Sequence, residues 1–203
     1  CSTTTSTVTD RTGQSTKAVR CRMMAADTLP DLLTTELSLL SIGLNPSLPS
    51  VAAGFYFANP RNRFWTAVNA STLLSEPVRP GPGCMQQLLE RVGLGFTDLV
   101  KRPTRGAGEF RVQDYREGAA RLCALIARYQ PRYAWFHGKL AYKNFIRYGG
   151  IHAEGEDWGL QRQPMGGTRI FVTPNPSPAN AAYSLGDLVT WYNRLARCLV
   201  SVK

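Results

Sequence analysis

The 203-residue sequence has no C-x-x-C pair, and its five cysteines (Cys1, Cys21, Cys84, Cys123, Cys198) are odd in number and widely spaced. That pattern signals neither a disulfide framework nor a zinc or iron–sulfur site, and it fits a reducing compartment. Histidine is equally scarce: His137 and His152 are the only imidazoles. No metal site and no cofactor are therefore expected. Apolar runs such as 170–172 are far too short to span a bilayer, so no membrane partner is expected. Neither G-x-G-x-x-G nor G-x-x-x-x-G-K-[ST] occurs, which removes the usual dinucleotide and nucleoside-triphosphate loops. Acidic residues are few as well, 14 against 24 Lys and Arg, and the net charge of +10 favours polyanions. Nucleic acid is the leading partner class; the bland alternative is a basic protein with no such ligand.

What is present reads as one domain behind a tail. Residues 1–22 are rich in Ser and Thr, have little to bury, and are expected to be flexible. Met23 and Met24 stand where the globular pattern begins, so the natural start is expected there and a single domain over 23–203. Within it, apolar runs predict strands at 37–43, 95–100, 133–137 and 169–173, and helical periodicity predicts helices at 62–71, 85–92, 112–129, 139–148 and 185–200. This alternation predicts an α/β layered domain with a mostly parallel sheet. In such a sheet, ligand sites gather where loops follow strands. Three loops of that kind, 43–54, 98–108 and 174–183, are rich in polar residues, Gly and Pro.

The first loop reads G-L-N-P-S over 43–47 and is followed by G-F-Y-F-A-N-P-R-N-R-F-W over 54–65. Further on come G-F-T-D-L-V-K-R-P-T over 95–104 and N-P-S over 175–177. These four blocks, in this order across about 37–200, resemble the mismatch-specific uracil/thymine-DNA glycosylases of the uracil-DNA glycosylase superfamily. The resemblance implies a three-layer α/β domain around a mostly parallel sheet of four or five strands. It also implies an enzyme that turns uracil, and with it thymine or other damaged pyrimidines in mismatches, out of double-stranded DNA. Hydrolysis of the N-glycosidic bond would leave an abasic site, in a monomer at work in the cytoplasm at the nucleoid if the source is bacterial. The alternative is a DNA- or nucleotide-binding α/β module without catalysis.

An Asn at the carboxyl end of a strand can hold a water by accepting from it while donating elsewhere, although it is no strong base. As the glycosidic bond breaks, the sugar gains oxocarbenium character and the base leaves as an anion, so positioning water and stabilising charge can suffice. The resemblance assigns the water to Asn45, with Gly43, Leu44, Phe57 and Asn175 as substrate-binding residues and Phe57 stacking on the base. A turn-capping Asn45 and a core-packing Phe57 are the alternatives. Asp98 stands where relatives commonly place Lys or Asn; its carboxylate either polarises the water or the sugar, or pairs with Lys101 or Arg102.

The block from Asn175 to Asn180 resembles the loop that enters the minor groove, which implicates Ser177, Pro178, Ala179 and Asn180 in DNA binding. Relatives carry a bulky wedge near Ala179 and an Arg soon after, whereas this chain runs Ala179, Asn180, Ala181, Ala182; Asn180 or Tyr183 is the candidate substitute. Lys101 and Arg102, with Arg61, Arg63, Arg105 and Arg111 nearby, are expected to meet phosphates or to be solvated surface charges. Asn62 and Arg63 read as a helix cap and His137 as structural.

Overall fold

The computed structural model describes residues 28–200 and, before them, the backbone of two short strands, β1 (Ser6–Thr9) and β2 (Ser15–Ala18), paired antiparallel with each other. The rest of the stretch read as a tail, and both methionines proposed as the start, lie outside the described residues.

The domain is organised around β3 (Leu39–Gly43), whose five residues are all buried. It pairs in parallel with β4 (Leu94–Asp98) on one side and β5 (Tyr133–His137) on the other. β7 (Arg169–Thr173) continues the parallel set beside β5, and the two-residue β6 (Gly159–Leu160) closes the edge antiparallel to β7. The order is β4-β3-β5-β7-β6, five strands and mostly parallel, as the sequence predicts.

Strand alternation sends side chains to two cores. Leu39, Phe96, Tyr133, Trp135 and Phe171 meet α2 (Phe64–Ala70), α3 (Pro82–Val92) and α6 (Leu185–Val200). Leu40, Ile42, Ala134, Phe136, Ile170 and Val172 meet α4 (Val112–Tyr129) and α5 (Lys139–Gly149). Covering both faces is what lets these strands be almost wholly apolar. Each large side chain buried there, such as Phe64 or Trp135 at 0% exposure, contributes roughly 1.5–3 kcal/mol. α4 lies close because Gly118 has no side chain: a Cβ there would collide with the Leu99 carbonyl oxygen.

The chain leaves β3, returns as β4 on one side, then crosses to β5 on the other. The carboxyl end of β3 is therefore a topological switch point, where adjoining loops part and open a crevice. Into it run Asn45 after β3, the segment after Asp98, His137 at the end of β5, and the 174–183 loop after β7. A short α1 (Leu48–Ala53), absent from the sequence reading, follows the first loop. Ser47 caps it by accepting from the Ser50 amide, and Gly54 ends it in the left-handed region.

Candidate active site

The crevice is a cleft of about 380 Å3, lined in part by Gly43, Leu44, Asn45, Phe57, Asp98, Thr104, His137 and Asn175. That is the size range of small-ligand sites. All six residues proposed for catalysis or substrate binding (Asn45, Asp98, Gly43, Leu44, Phe57, Asn175) line it.

Asn45 is held by its donor end. Its Nδ2 gives hydrogen bonds to Thr104 Oγ1 (3.0 Å) and the Pro46 carbonyl (3.1 Å), with the Arg102 carbonyl at 3.5 Å. Carbonyls can only accept, so the amide orientation is fixed chemically, and Oδ1 is the atom left to accept from a water. Thr104 passes its own proton to the Gly106 carbonyl at 3.0 Å, leaving its lone pairs for Asn45. The Thr104 segment is joined to the Asn45 loop by a parallel bridge to Ser47.

Asp98 lines the same cleft from the end of β4, is 2% exposed, and its Oδ2 has no hydrogen-bond partner among the described residues. Burial pushes its carboxyl up to about 7; Lys101 and Arg121 pull it down and Asp31 pushes it further up. The carboxylate has room because residue 43 is glycine: a Cβ on Gly43 would collide with Asp98 Oδ1. Neither proposed ion-pair partner pairs with it. Lys101 Nζ reaches Asp31 at 2.8 Å and Tyr56 Oη at 3.0 Å, and Asp31 also holds Arg121 at 2.7 Å. Arg102 forks onto both oxygens of Asp114, at 3.1 and 2.7 Å, and holds that carboxyl down to about 2. Lys101 and Arg102, expected to meet DNA, are thus committed to carboxylates of this chain and do not line the cleft. Arg105 does line it.

Phe57 takes a backbone φ of 58°, in the left-handed region that a bulky residue seldom adopts. Such a conformation costs on the order of 1–3 kcal/mol and persists where the surroundings enforce it. Here Trp65 Nε1 grips the Tyr56 carbonyl at 3.0 Å, and Ser50 Oγ accepts from the Ala58 amide at 3.1 Å, so both flanks are clamped. One face of the Phe57 ring stacks on Phe64 at 4.0 Å between centroids, which joins the core and pocket readings of this ring.

The 174–183 loop folds on itself. Asn175 Oδ1 accepts from the Ser177 amide (2.9 Å), and Asn180 Nδ2 donates to the Asn175 carbonyl (3.0 Å). Tyr183 packs edge-on against Trp158 at 5.5 Å. Both candidate wedges are thereby engaged within the chain, and Pro178 and Ala179 form the exposed tip. The sequence reading missed the loop's anchor. Arg63 donates to the Ser177 carbonyl at 3.1 Å, to that of Asn180 at 2.8 Å, and to that of Tyr183. It is a loop clamp, not a solvated charge, while Asn62 caps the Phe64 amide as expected, at 2.9 Å.

An α/β domain with a cleft at the switch point, an oriented Asn, a buried carboxyl and a strained aromatic has the parts of a small-ligand site. The sequence profile of the uracil DNA glycosylase superfamily matches residues 30–196, and the chain belongs to that superfamily. Its fold is similar to the solution NMR structure described as "a putative Uracil DNA glycosylase from Methanosarcina acetivorans", with a TM-score of 0.54 and 20% identity over 85% of this chain and 96% of that one.

Proposed function

We propose that the chain is a monofunctional glycosylase that releases uracil from double-stranded DNA, of the kind that also acts in mismatches. The observation that carries this reading is the pairing, in one cleft, of an Asn whose donor end is tied down with a buried carboxyl whose Oδ2 is unpartnered.

With a nucleotide turned into the cleft, the base lies against the outer face of Phe57 and C1′ of the sugar lies near Asn45 and Asp98. As the C1′–N1 bond breaks, its electron pair leaves with the base, which becomes an anion, and positive charge grows on the sugar. Ionised Asp98 stabilises that charge electrostatically. A water held on Asn45 Oδ1 adds its oxygen to C1′, and its proton passes to the Asp98 carboxylate. No lysine lines the cleft among the described residues, which favours attack by water over a covalent amine intermediate and leaves the abasic strand intact. Pro178 and Ala179 at the loop tip reach the duplex, and Arg105 at the cleft meets a phosphate.

The test is incubation of purified protein with a G·U duplex in EDTA. The expected result is free uracil and a strand that breaks only after alkali. Binding without uracil release would instead favour the non-catalytic module, and strand cleavage without alkali would refute the water mechanism.

A further inference from the structure

Two of the unpartnered buried polar atoms of the described residues belong to side chains lining the cleft: Asp98 Oδ2 and His137 Nδ1. The second has no place in the chemistry above. His137 ends β5 at 1% exposure, and its ring meets Phe57 and Phe64 edge-on at 5.1 and 5.3 Å and Trp135 at 4.3 Å. Strand register sets Asp98 beside Gly43 and aligns Phe136 with Ile42. His137 and Asp98 therefore flank the side-chain-free Gly43 on one face of the sheet, about two strand spacings (roughly 9–10 Å) apart at the backbone.

The imidazole's tautomer follows from its partner. Nε2 lies 2.8 Å from the Oγ of Ser41, which is itself buried. If Nε2 carried the proton, the Ser41 hydroxyl proton would lack an acceptor and Nδ1 would be a bare buried lone pair. If Ser41 donates to Nε2, only one group is left unmatched, an Nδ1–H. Leaving a buried polar group unmatched is costly, so the second arrangement prevails. Burial also pushes the imidazole pKa down to about 3, so the ring stays neutral with a single proton to place.

Resting on the glycosylase reading, we propose that His137 determines base specificity: its Nδ1–H, oriented by Ser41, donates to a ring carbonyl oxygen of the base turned into the cleft. A fixed donor favours bases with an oxo group where their parents carry an amino group, which is the change deamination makes. It matches uracil at the atom where it meets a second donor in cytosine. Such a base gives the Nδ1–H an acceptor that no protein group among the described residues supplies.

Two measurements test this. Nitrogen-15 spectra of the free protein should show the His137 proton on Nδ1 with Nε2 bare, and Ser41→Ala should abolish that preference. Affinities should then be compared for duplexes carrying uncleavable 2′-fluoro-deoxyuridine, 2′-fluoro-deoxycytidine or a tetrahydrofuran abasic analogue. Wild type should prefer the uracil duplex over the cytosine one. His137→Phe should shrink that preference about three- to ten-fold, the worth of one net hydrogen bond. Binding to the abasic duplex should stay within about two-fold, while His137→Asn, which keeps an N–H, should recover most of the preference. Because Phe strands the Ser41 hydroxyl, the Ser41→Ala/His137→Phe pair is measured beside it. A proton on Nε2, an unchanged preference in both variants, or an equal loss on the abasic duplex would overturn the proposal. Absence of uracil release by wild type, with tautomer and base preference intact, would overturn the glycosylase reading alone.

Discussion

Replacing Asp98 by Asn should move stability and catalysis in opposite directions, because one buried proton bears on the first and, in the proposed mechanism, on the second. The carboxyl is 2% exposed and titrates in the folded protein near 7, against a reference value of 3.8. Below about 4 it is protonated folded or unfolded and contributes no pH dependence. Between about 4 and 7 the folded state holds a proton that the unfolded state has released, so stability falls as pH rises, and above 7 it levels off. A shift of roughly three units, at about 1.4 kcal/mol each, makes the total loss on the order of 4 kcal/mol. Asn has the same shape and does not titrate. Asp98→Asn should therefore match wild type near pH 4 and exceed it at pH 8 by up to about 4 kcal/mol, or roughly 8–16 °C in Tm.

The proposed mechanism needs the opposite form. If ionised Asp98 stabilises the sugar cation and takes the proton from water, the single-turnover rate should rise with pH through about 7 and then flatten. Asp98→Asn should lower that rate about ten- to ten-thousand-fold and remove the rise, with DNA affinity retained. Thermal melts of both proteins from pH 4 to 9, alongside single-turnover uracil release over the same range, read the two effects separately. A folded Asp98→Asn protein cleaving at close to the wild-type rate would refute the catalytic role. A melting difference that does not grow between pH 5 and 8 would refute the buried titration on which the argument rests.

Four other outcomes follow from the same geometry. Asn45→Ala should impair uracil release, and if Asn45 and Asp98 act on one water, as proposed, the Asn45→Ala/Asp98→Asn protein should lose less than the product of the single effects, as rapid-quench kinetics would measure. Thr104→Val, which removes the acceptor that aims Asn45, should slow release about ten-fold without changing DNA affinity; equal rates would show that Asn45 orients itself. Arg63→Met strips several carbonyls of a charged donor and should expose residues 176–183 to limited proteolysis and weaken DNA binding, whereas unchanged protection would dismiss the clamp. Gly118→Ala, which drives a Cβ into the Leu99 carbonyl, should destabilise the fold by about 1–3 kcal/mol in urea titrations, with the active cleft intact.

The fold was legible where periodicity had length to act. The strands at 133–137 and 169–173 and the helices at 112–129 and 185–200 stand where the sequence places them. α1 escaped because its six residues hold only a turn and a half, yet Ser47 as cap, Pro49 within the first turn and Gly54 after the last were signals of it. β6, at two residues, offers no period to detect. Gly43 and Asp98 were legible because they end strands of a parallel sheet, the position topology reserves for ligands, whereas Asn45, Phe57 and Asn175 were legible through the resemblance of their motifs. His137 ends a strand too, but its place in row with Gly43 depends on strand register, which the sequence does not display.

Charge was the least legible property, because an ion pair depends on partners distant in sequence. Asp31 lies 70 residues before Lys101 and 90 before Arg121, and nothing local announces that these three meet. A net charge of +10 counts every cation alike, but those near the cleft are unequal. Lys101 and Arg121 share Asp31, Arg102 forks onto Asp114, and Arg63 is occupied by loop carbonyls. Arg105 remains at the cleft itself. The salt dependence of DNA binding should accordingly reflect a few phosphate contacts: with about three, affinity falls roughly ten- to hundred-fold between 50 and 200 mM salt, since each contact contributes about 0.9 to the logarithmic slope. Titrations of an abasic duplex across that range decide it. A slope near about −4.5 would mean that Lys101 and Arg102 leave their carboxylates for the DNA, and a slope near zero would remove phosphate neutralisation from the account.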